Sequence, residues 1–220
     1  MFLSIAKQTN RPLALIEIGT SSGLLLCRDK YNYEIQQQQE TLKLVNKIGS
    51  LYIASENKGE KLPYFNHNLE ITNRIGIDLN IINLAKKEDY EWMLALIWPE
   101  HSLRRSQFIQ ASNISKEIPK ELYEGNMLEL LPTIIKLISP KAQIVLFHTH
   151  VANQFPKHLK RDFENLLYQL SYHRSLYHVY NNMYDTNIHQ DFIKNGEIKE
   201  GKTMPAADGH GKWFIWKNVQ

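Results

Sequence analysis

The first regular pattern in the chain is Leu13-Ala14-Leu15-Ile16-Glu17-Ile18, an apolar run broken only by Glu17. A run of this kind predicts a strand covered on both faces, as parallel sheets require. Gly19 to Gly23 interrupts it, and Leu24-Leu25-Leu26 predicts the start of a helix. Residues 31–74 read differently, with short alternating pieces such as Leu51-Tyr52-Ile53 and turn signals at Asn57-Lys58-Gly59 and Leu62-Pro63. They predict an insertion of one or two β-hairpins after the first helix. A second strand is expected at 75–78, ending on Asp78, then helices at 88–98 and 102–114 separated by Pro99. A short strand at 122–124 and a helix at 127–138, closed by Pro140, come next. The clearest later strand is 143–150 (Gln-Ile-Val-Leu-Phe-His-Thr-His), followed by a helix at 156–171 and a strand at 176–180. Two strand-like pieces, 191–193 and 213–216, close the chain, the second preceded by a turn at Asp208-Gly209-His210-Gly211.

Strands alternating with helices imply right-handed crossovers and a mostly parallel sheet. The expected fold is therefore a single Rossmann-like α/β domain over residues 1–220. The closing strands, with no helix between them, predict an antiparallel C-terminal edge. In such sheets ligands bind beyond the carboxyl ends of the strands.

Composition narrows the function classes. The chain has 220 residues, 43% of them hydrophobic, enough for a sizeable core. Its 26 basic and 23 acidic residues nearly balance, for a net charge of +3. Nucleic acid needs a clustered basic face, and Arg104-Arg105 and the 157–161 run read better as solvated helix faces. The single cysteine, Cys27, lies in an apolar run and has no partner for an internal disulfide, which fits a reducing compartment. No apolar run approaches the ~20 residues of a membrane span, and residues 1–10 lack the pattern of a signal peptide. The expected location is the cytoplasm, and the expected partner is a small molecule.

The chemistry concentrates at Glu17-Ile18-Gly19-Thr20-Ser21-Ser22-Gly23. Gly19 allows a tight turn out of the strand, and Gly23 allows close packing of the helix that should follow. Thr20, Ser21 or Ser22 would cap that helix, whose free N–H groups attract polar or anionic ligand atoms. Glu17 needs a polar partner, which a ligand amine or hydroxyl would supply. Gly19 to Gly23 also matches G-x-S-x-G, the nucleophile elbow of α/β-hydrolases, with Ser21 as nucleophile. Only 18 residues precede Gly19, too few for the strands and oxyanion loop that come before such an elbow.

The Glu-x-Gly-x-x-x-Gly pattern resembles the first motif of S-adenosylmethionine-dependent methyltransferases. That resemblance implies S-adenosyl-L-methionine as cofactor, bound around Glu17, Gly19, Thr20, Ser21 and Gly23. Asp78 and Asn80, after the next parallel strand, would bind the ribose hydroxyls. Gly125-Asn126, after the third, would place Asn126 at the adenine. Ser21 stands where a middle glycine is usual, and Asn126 where an aspartate is common. The sequence also resembles a bacterial family of uncharacterised proteins, catalogued as a domain of unknown function. The residues carrying this likeness are 15–24, Gly76-Ile77-Asp78-Leu79-Asn80, Leu94-Ala95-Leu96-Ile97-Trp98-Pro99-Glu100 and 145–150. The resemblance implies a methyltransferase-like fold and a helical region ahead of the first strand, where this chain has only residues 1–12.

His148 and His150, two apart on a strand, are expected to share one face at its carboxyl end. They would act toward a methyl acceptor as general bases. Alternatively they would hold a catalytic metal for a hydrolase, with His101, Glu100 or Asp78 as a third ligand. A hydrogen-bonded structural pair is the plainer reading. His178 and Asp185 are the remaining partners for a triad with Ser21. A non-catalytic interaction module on the same fold is a further alternative.

Overall fold

A computed structural model describes residues 1–46, 50–63 and 69–217. The run at Leu13–Ile18 forms β1, a central strand whose side chains are all buried because one face packs against one core cluster and the opposite face against another. It pairs in parallel with β5 (Ile71–Asp78) and with β7 (Gln143–His148). β6 (Glu121–Glu124) adds to β5, and β8 (Leu176–Asn181) to β7, again in parallel. The five parallel strands therefore run β6-β5-β1-β7-β8, the doubly wound order in which direction reverses between β1 and β7.

β9 (Ile188–Lys194) and β10 (Glu197–Met204) extend this sheet antiparallel to each other through a turn at Asn195-Gly196, both at positive φ. Asn-Gly is the strongest short-range hairpin signal. The antiparallel edge is thus present, but its outer strand is the polar β10, which periodicity missed. The expected closing piece near Trp213 belongs elsewhere: β11 (Trp213–Phe214) pairs with the insertion.

The insertion supplies three strands of a separate four-stranded sheet, with β11 as the fourth. β2 (Asn32–Gln37) and β3 (Glu40–Leu44) make one hairpin, and β4 (Tyr52–Asn57) runs parallel to β2. Parts of the expected insertion, 47–49 and 64–68, lie outside the described residues.

One face of the main sheet is covered by α4 (Met127–Leu137) and α5 (Lys157–His173). Phe163, Leu167 and Leu170 form a single buried stripe on α5. The other face meets α1 (Phe2–Thr9), whose Ile5 and Ala6 pack on Leu13, Leu15, Val145 and Phe147. α3 (Ser102–Lys116) closes a smaller cluster around Cys27, Tyr31 and Leu51. α2 (Lys87–Ala95) buries no side chain, leaving Trp92 exposed, as are Leu96 and Trp98 just beyond it.

The helix expected from Leu24 onward does not form. Leu25–Lys30 is a short 3₁₀ segment instead. Distant groups hold it in that shape. The Arg74 guanidinium forks onto both Asp29 carboxylate oxygens at 2.6 and 2.7 Å, largely out of water. The Arg28 guanidinium lies over the Phe2 and Phe147 rings, 3.7 and 4.2 Å from their centroids. Tyr31 and Tyr33 hydroxyls donate to the carbonyls of Leu24 and Arg28. Tertiary contacts of this kind outweigh the helix propensity of three leucines, which is high in rank but small in energy.

Candidate functional site

Adjacency of β6, β5 and β1 brings three of the predicted loops together at one edge of the sheet. The Ser21 N–H donates to Asp78 Oδ2 at 2.7 Å, and the Asn80 N–H to Asp78 Oδ1 at 3.2 Å. The Gly125 N–H donates to the Asp78 carbonyl at 2.8 Å, and the Ile82 N–H to the Ser21 carbonyl at 3.2 Å. The Ile81 N–H reaches Glu124 Oε2 at 3.0 Å. Asn126 stands at the same edge, where its Oδ1 caps α4 by accepting from the Leu128 N–H at 3.0 Å. Asp78 is half-buried, and Asn80 and Asn126 are exposed.

The inner part of the corner is sealed. Glu17 is only 3% exposed, and its Oε2 accepts the Thr20 hydroxyl at 2.7 Å. The protein thus supplies the partner that sequence reasoning assigned to a ligand. Burial raises the Glu17 pKa to about 7, against the Thr20 hydrogen bond and the Arg28 charge, with Asp78 adding to the rise. Gly76, beside Glu17 on β5, makes this possible. A Cβ there would stand 2.6 Å from the Thr20 hydroxyl. Gly19 makes the expected turn at φ +73°, but the space a side chain would take is filled by Val151, 2.6 Å from the Cβ position. It is a packing site, not an open cradle. At Gly23 a Cβ would meet Leu122 and Lys120 at 3.1 Å, so the close approach is to β6 rather than to a helix. Because no α-helix follows the corner, Thr20, Ser21 and Ser22 cap none, and the anion site expected from such a helix is not formed.

Ser21 has φ +53°. The backbone keeps the left-handed shape of a glycine motif although the residue is serine. That conformation costs an L-residue about 1–2 kcal/mol. Part of the gain on Ser21→Gly returns as extra unfolded-chain entropy, so the variant should be more stable by about 0.5–1 kcal/mol, read as a shift in denaturant midpoint.

The two strand-end histidines part company. β7 ends at His148, and His150 follows at φ +63°, which breaks the alternation that would align them. His148 is 0% exposed. Its Nε2 lies 3.1 Å from His178 Nε2, while its Nδ1 is buried with no hydrogen-bond partner. The rings of Phe155, Phe163 and Tyr180 surround it. Burial, then the charge of Lys160, lowers its pKa to about 3. Burial also lowers His178 well below the usual imidazole range. His150 is exposed, with its Nδ1 3.1 Å from Asn182 Nδ2. The expectation that His148 and His150 form one reactive pair is therefore replaced by a buried His148–His178 pair. His178, from the sequence a triad candidate with Ser21, sits one strand over in β8 and meets His148 instead.

Among the described residues no three His, Cys, Asp or Glu side chains are placed to share a metal ion. The Ser21 hydroxyl meets Met93 Sδ at 3.8 Å, and Asp185 pairs with His189, so the expected Ser21 triad does not assemble. Arg105, expected on a solvated helix face, instead donates to the Leu94 and Ile97 carbonyls and ties the end of α2 to α3. Among the described residues no helix is long and apolar enough to cross a membrane.

The fold and its edge define an α/β protein with a mostly parallel central sheet flanked by helices. A family model described as an uncharacterized protein conserved in bacteria (DUF2332) matches residues 1–216, and the chain belongs to that family. No curated protein and no solved structure matches the chain.

Proposed function

We propose that the protein has a methyltransferase-like fold and binds an adenosyl ligand, S-adenosyl-L-methionine or a close relative, at the edge formed by β1, β5 and β6. The observation that carries this reading is the state of the Asp78 carboxylate. An ionised carboxylate offers about four acceptor sites. Backbone N–H groups of Ser21 and Asn80 use two of them and fix its orientation. Two remain, the number needed to receive the adjacent hydroxyls of a ribose. Asn80 stands beside it with an exposed amide suited to the ribose, and Asn126, exposed at the same edge, would have to trade its Nδ2 contact to Glu129 Oε1, 3.3 Å, to meet the base. Glu17, Gly19, Thr20 and Gly23 shape the corner from behind without reaching a ligand. The fit is therefore at the nucleoside end, and the strand order β6-β5-β1-β7-β8 supports it by placing these loops next to one another.

When bound, S-adenosyl-L-methionine supplies an electrophilic methyl group. The chain's own contribution is to hold the ribose and orient the base. Of the two histidines at the end of β7, His150 is the one an acceptor can reach, whereas His148 is sealed. Calorimetric titration with S-adenosyl-L-methionine and S-adenosylhomocysteine tests the reading. Saturable binding is expected, and Asp78→Ala should weaken it by about 1–3 kcal/mol, the cost of leaving ligand hydroxyls unpaired. Folded protein giving no heat at millimolar ligand would overturn it.

A further inference from the structure

Beside the Asp78 corner lies a cleft of about 720 Å³, sharing Ser22 with the corner and bounded by the loop that follows β5. Its size is within the roughly 300–1,000 Å³ of small-molecule sites. The walls are apolar, with Ile82 and Leu84 from that loop and Ile118 and Leu122 from the approach to β6. Lys116 and Lys120 are its charged residues, and no carboxylate belongs to the described residues that line it.

Lys120 is the telling group. Its ammonium donates to the Ser115 carbonyl at 2.6 Å and to the Ser115 hydroxyl at 2.8 Å. An ammonium has three donors, so one is left. Both partners are neutral, and no described carboxylate pairs with it. Burial lowers its pKa, and Arg74 adds to that effect against Cys27. Capping the end of α3 accounts for the Ser115 carbonyl contact. It does not account for a half-buried cation without a counter-charge at the wall of an apolar cleft. Lys116, nearer solvent, extends over the Tyr90 ring at 5.8 Å and adds a second positive charge at the rim.

We propose that this cleft binds a small organic anion with an apolar body, a medium-chain carboxylate being its simplest form. The carboxylate pairs with Lys120, and the chain lies along Ile82, Leu84, Ile118 and Leu122. The assignment goes beyond the adenosyl reading and does not rest on it.

The test is calorimetric titration of the full chain with sodium octanoate at neutral pH, with 1-octanol and inorganic phosphate as competitors. One saturable site is expected. Lys120→Met should weaken octanoate about tenfold, as loss of a charge-assisted contact does. That variant also removes a cap from α3, so a second one is needed. Ala85→Asp, at an exposed position on the cleft wall, should weaken octanoate similarly and leave the thermal midpoint in place. The adenosyl ligand and octanoate are titrated separately into wild-type protein, so failure of adenosyl binding and failure of octanoate binding are distinct outcomes. The proposal is overturned if wild-type protein shows no saturable octanoate binding, or if both cleft variants bind like wild type. It is equally overturned if octanol or phosphate alone competes as well as octanoate.

Discussion

Stability should fall steeply as pH drops below about 6.5, the ordinary pKa of histidine in an unfolded chain. His148 and His178 are buried and neutral in the fold, with His148 held near pKa 3 and His178 also well depressed. Above 6.5 neither state takes up protons at these sites, so their contribution is fully present. As pH falls, the unfolded chain is protonated first and stability is lost progressively toward pH 3. Between pH 6.5 and 4.5 this amounts to about 3 kcal/mol for His148 alone. Glu17 acts in the opposite sense. Its folded pKa is raised from 4.5 to about 7, so its penalty is present above 7 and disappears as pH falls to 4.5. That offset is about 3 kcal/mol, smaller than the two histidines together. Urea denaturation at intervals from pH 8 to 4.5 should therefore show a net loss on the acid side. Glu17→Gln should raise stability at pH 8 and steepen the acid loss. Replacing either histidine singly by leucine strands the partner's Nε2 and should cost about 1–3 kcal/mol. Replacing both removes the mismatch, so the double variant should be less destabilised than the singles add up to, with a flatter acid limb. A profile that rises from pH 8 to 5, the direction Glu17 alone would give, would show that the pair is not held neutral.

Gly19→Ala is expected to destabilise the protein by about 3 kcal/mol, combining a left-handed backbone cost of about 1–2 with an overpacking cost of about 1–3. Both terms are visible in the structure: φ is +73°, and Val151 side-chain atoms stand 2.6–3.0 Å from the new methyl position. The double variant Gly19→Ala/Val151→Ala separates them. It relieves the overlap and leaves the backbone cost, so it should recover part of the loss, and denaturant midpoints for the four proteins give the coupling. Purely additive losses would mean that Val151 does not fill this space. The same cycle distinguishes a packing glycine from a ligand-cradling one, since only the latter would change adenosyl affinity at constant stability.

How much of this was legible in the sequence depends on the reach of the forces involved. β1, β7 and β8 are read directly from apolar runs because burial on both faces dictates the type of every residue in the strand. The acidic ends at Glu17 and Asp78 are equally readable, since a charge at the end of such a run is costly unless satisfied. The Asn195-Gly196 dipeptide is a turn signal that goes unused in the sequence reading, because the strand after it, β10, is so polar that hydrophobic periodicity carries no sign of it.

Other features depended on partners far away in the chain. Leu24 to Leu26 continue as a 3₁₀ segment because Arg74 grips Asp29, 45 residues away. His148 and His150 diverge because the backbone turns to positive φ after β7, which a two-residue spacing cannot encode.

The sequence by itself determined that this protein is an α/β domain with buried parallel strands and polar residues gathered at their carboxyl ends, because burial constrains residue type strand by strand. Only the tertiary structure decided which of those residues stay accessible and which are sealed. Glu17 was turned inward to Thr20, Gly19 was filled by Val151, and His148 was sealed against His178, while Asp78 kept free acceptor sites. Those outcomes depend on how side chains from different elements meet in space, and a linear pattern records the faces of elements but not their neighbours.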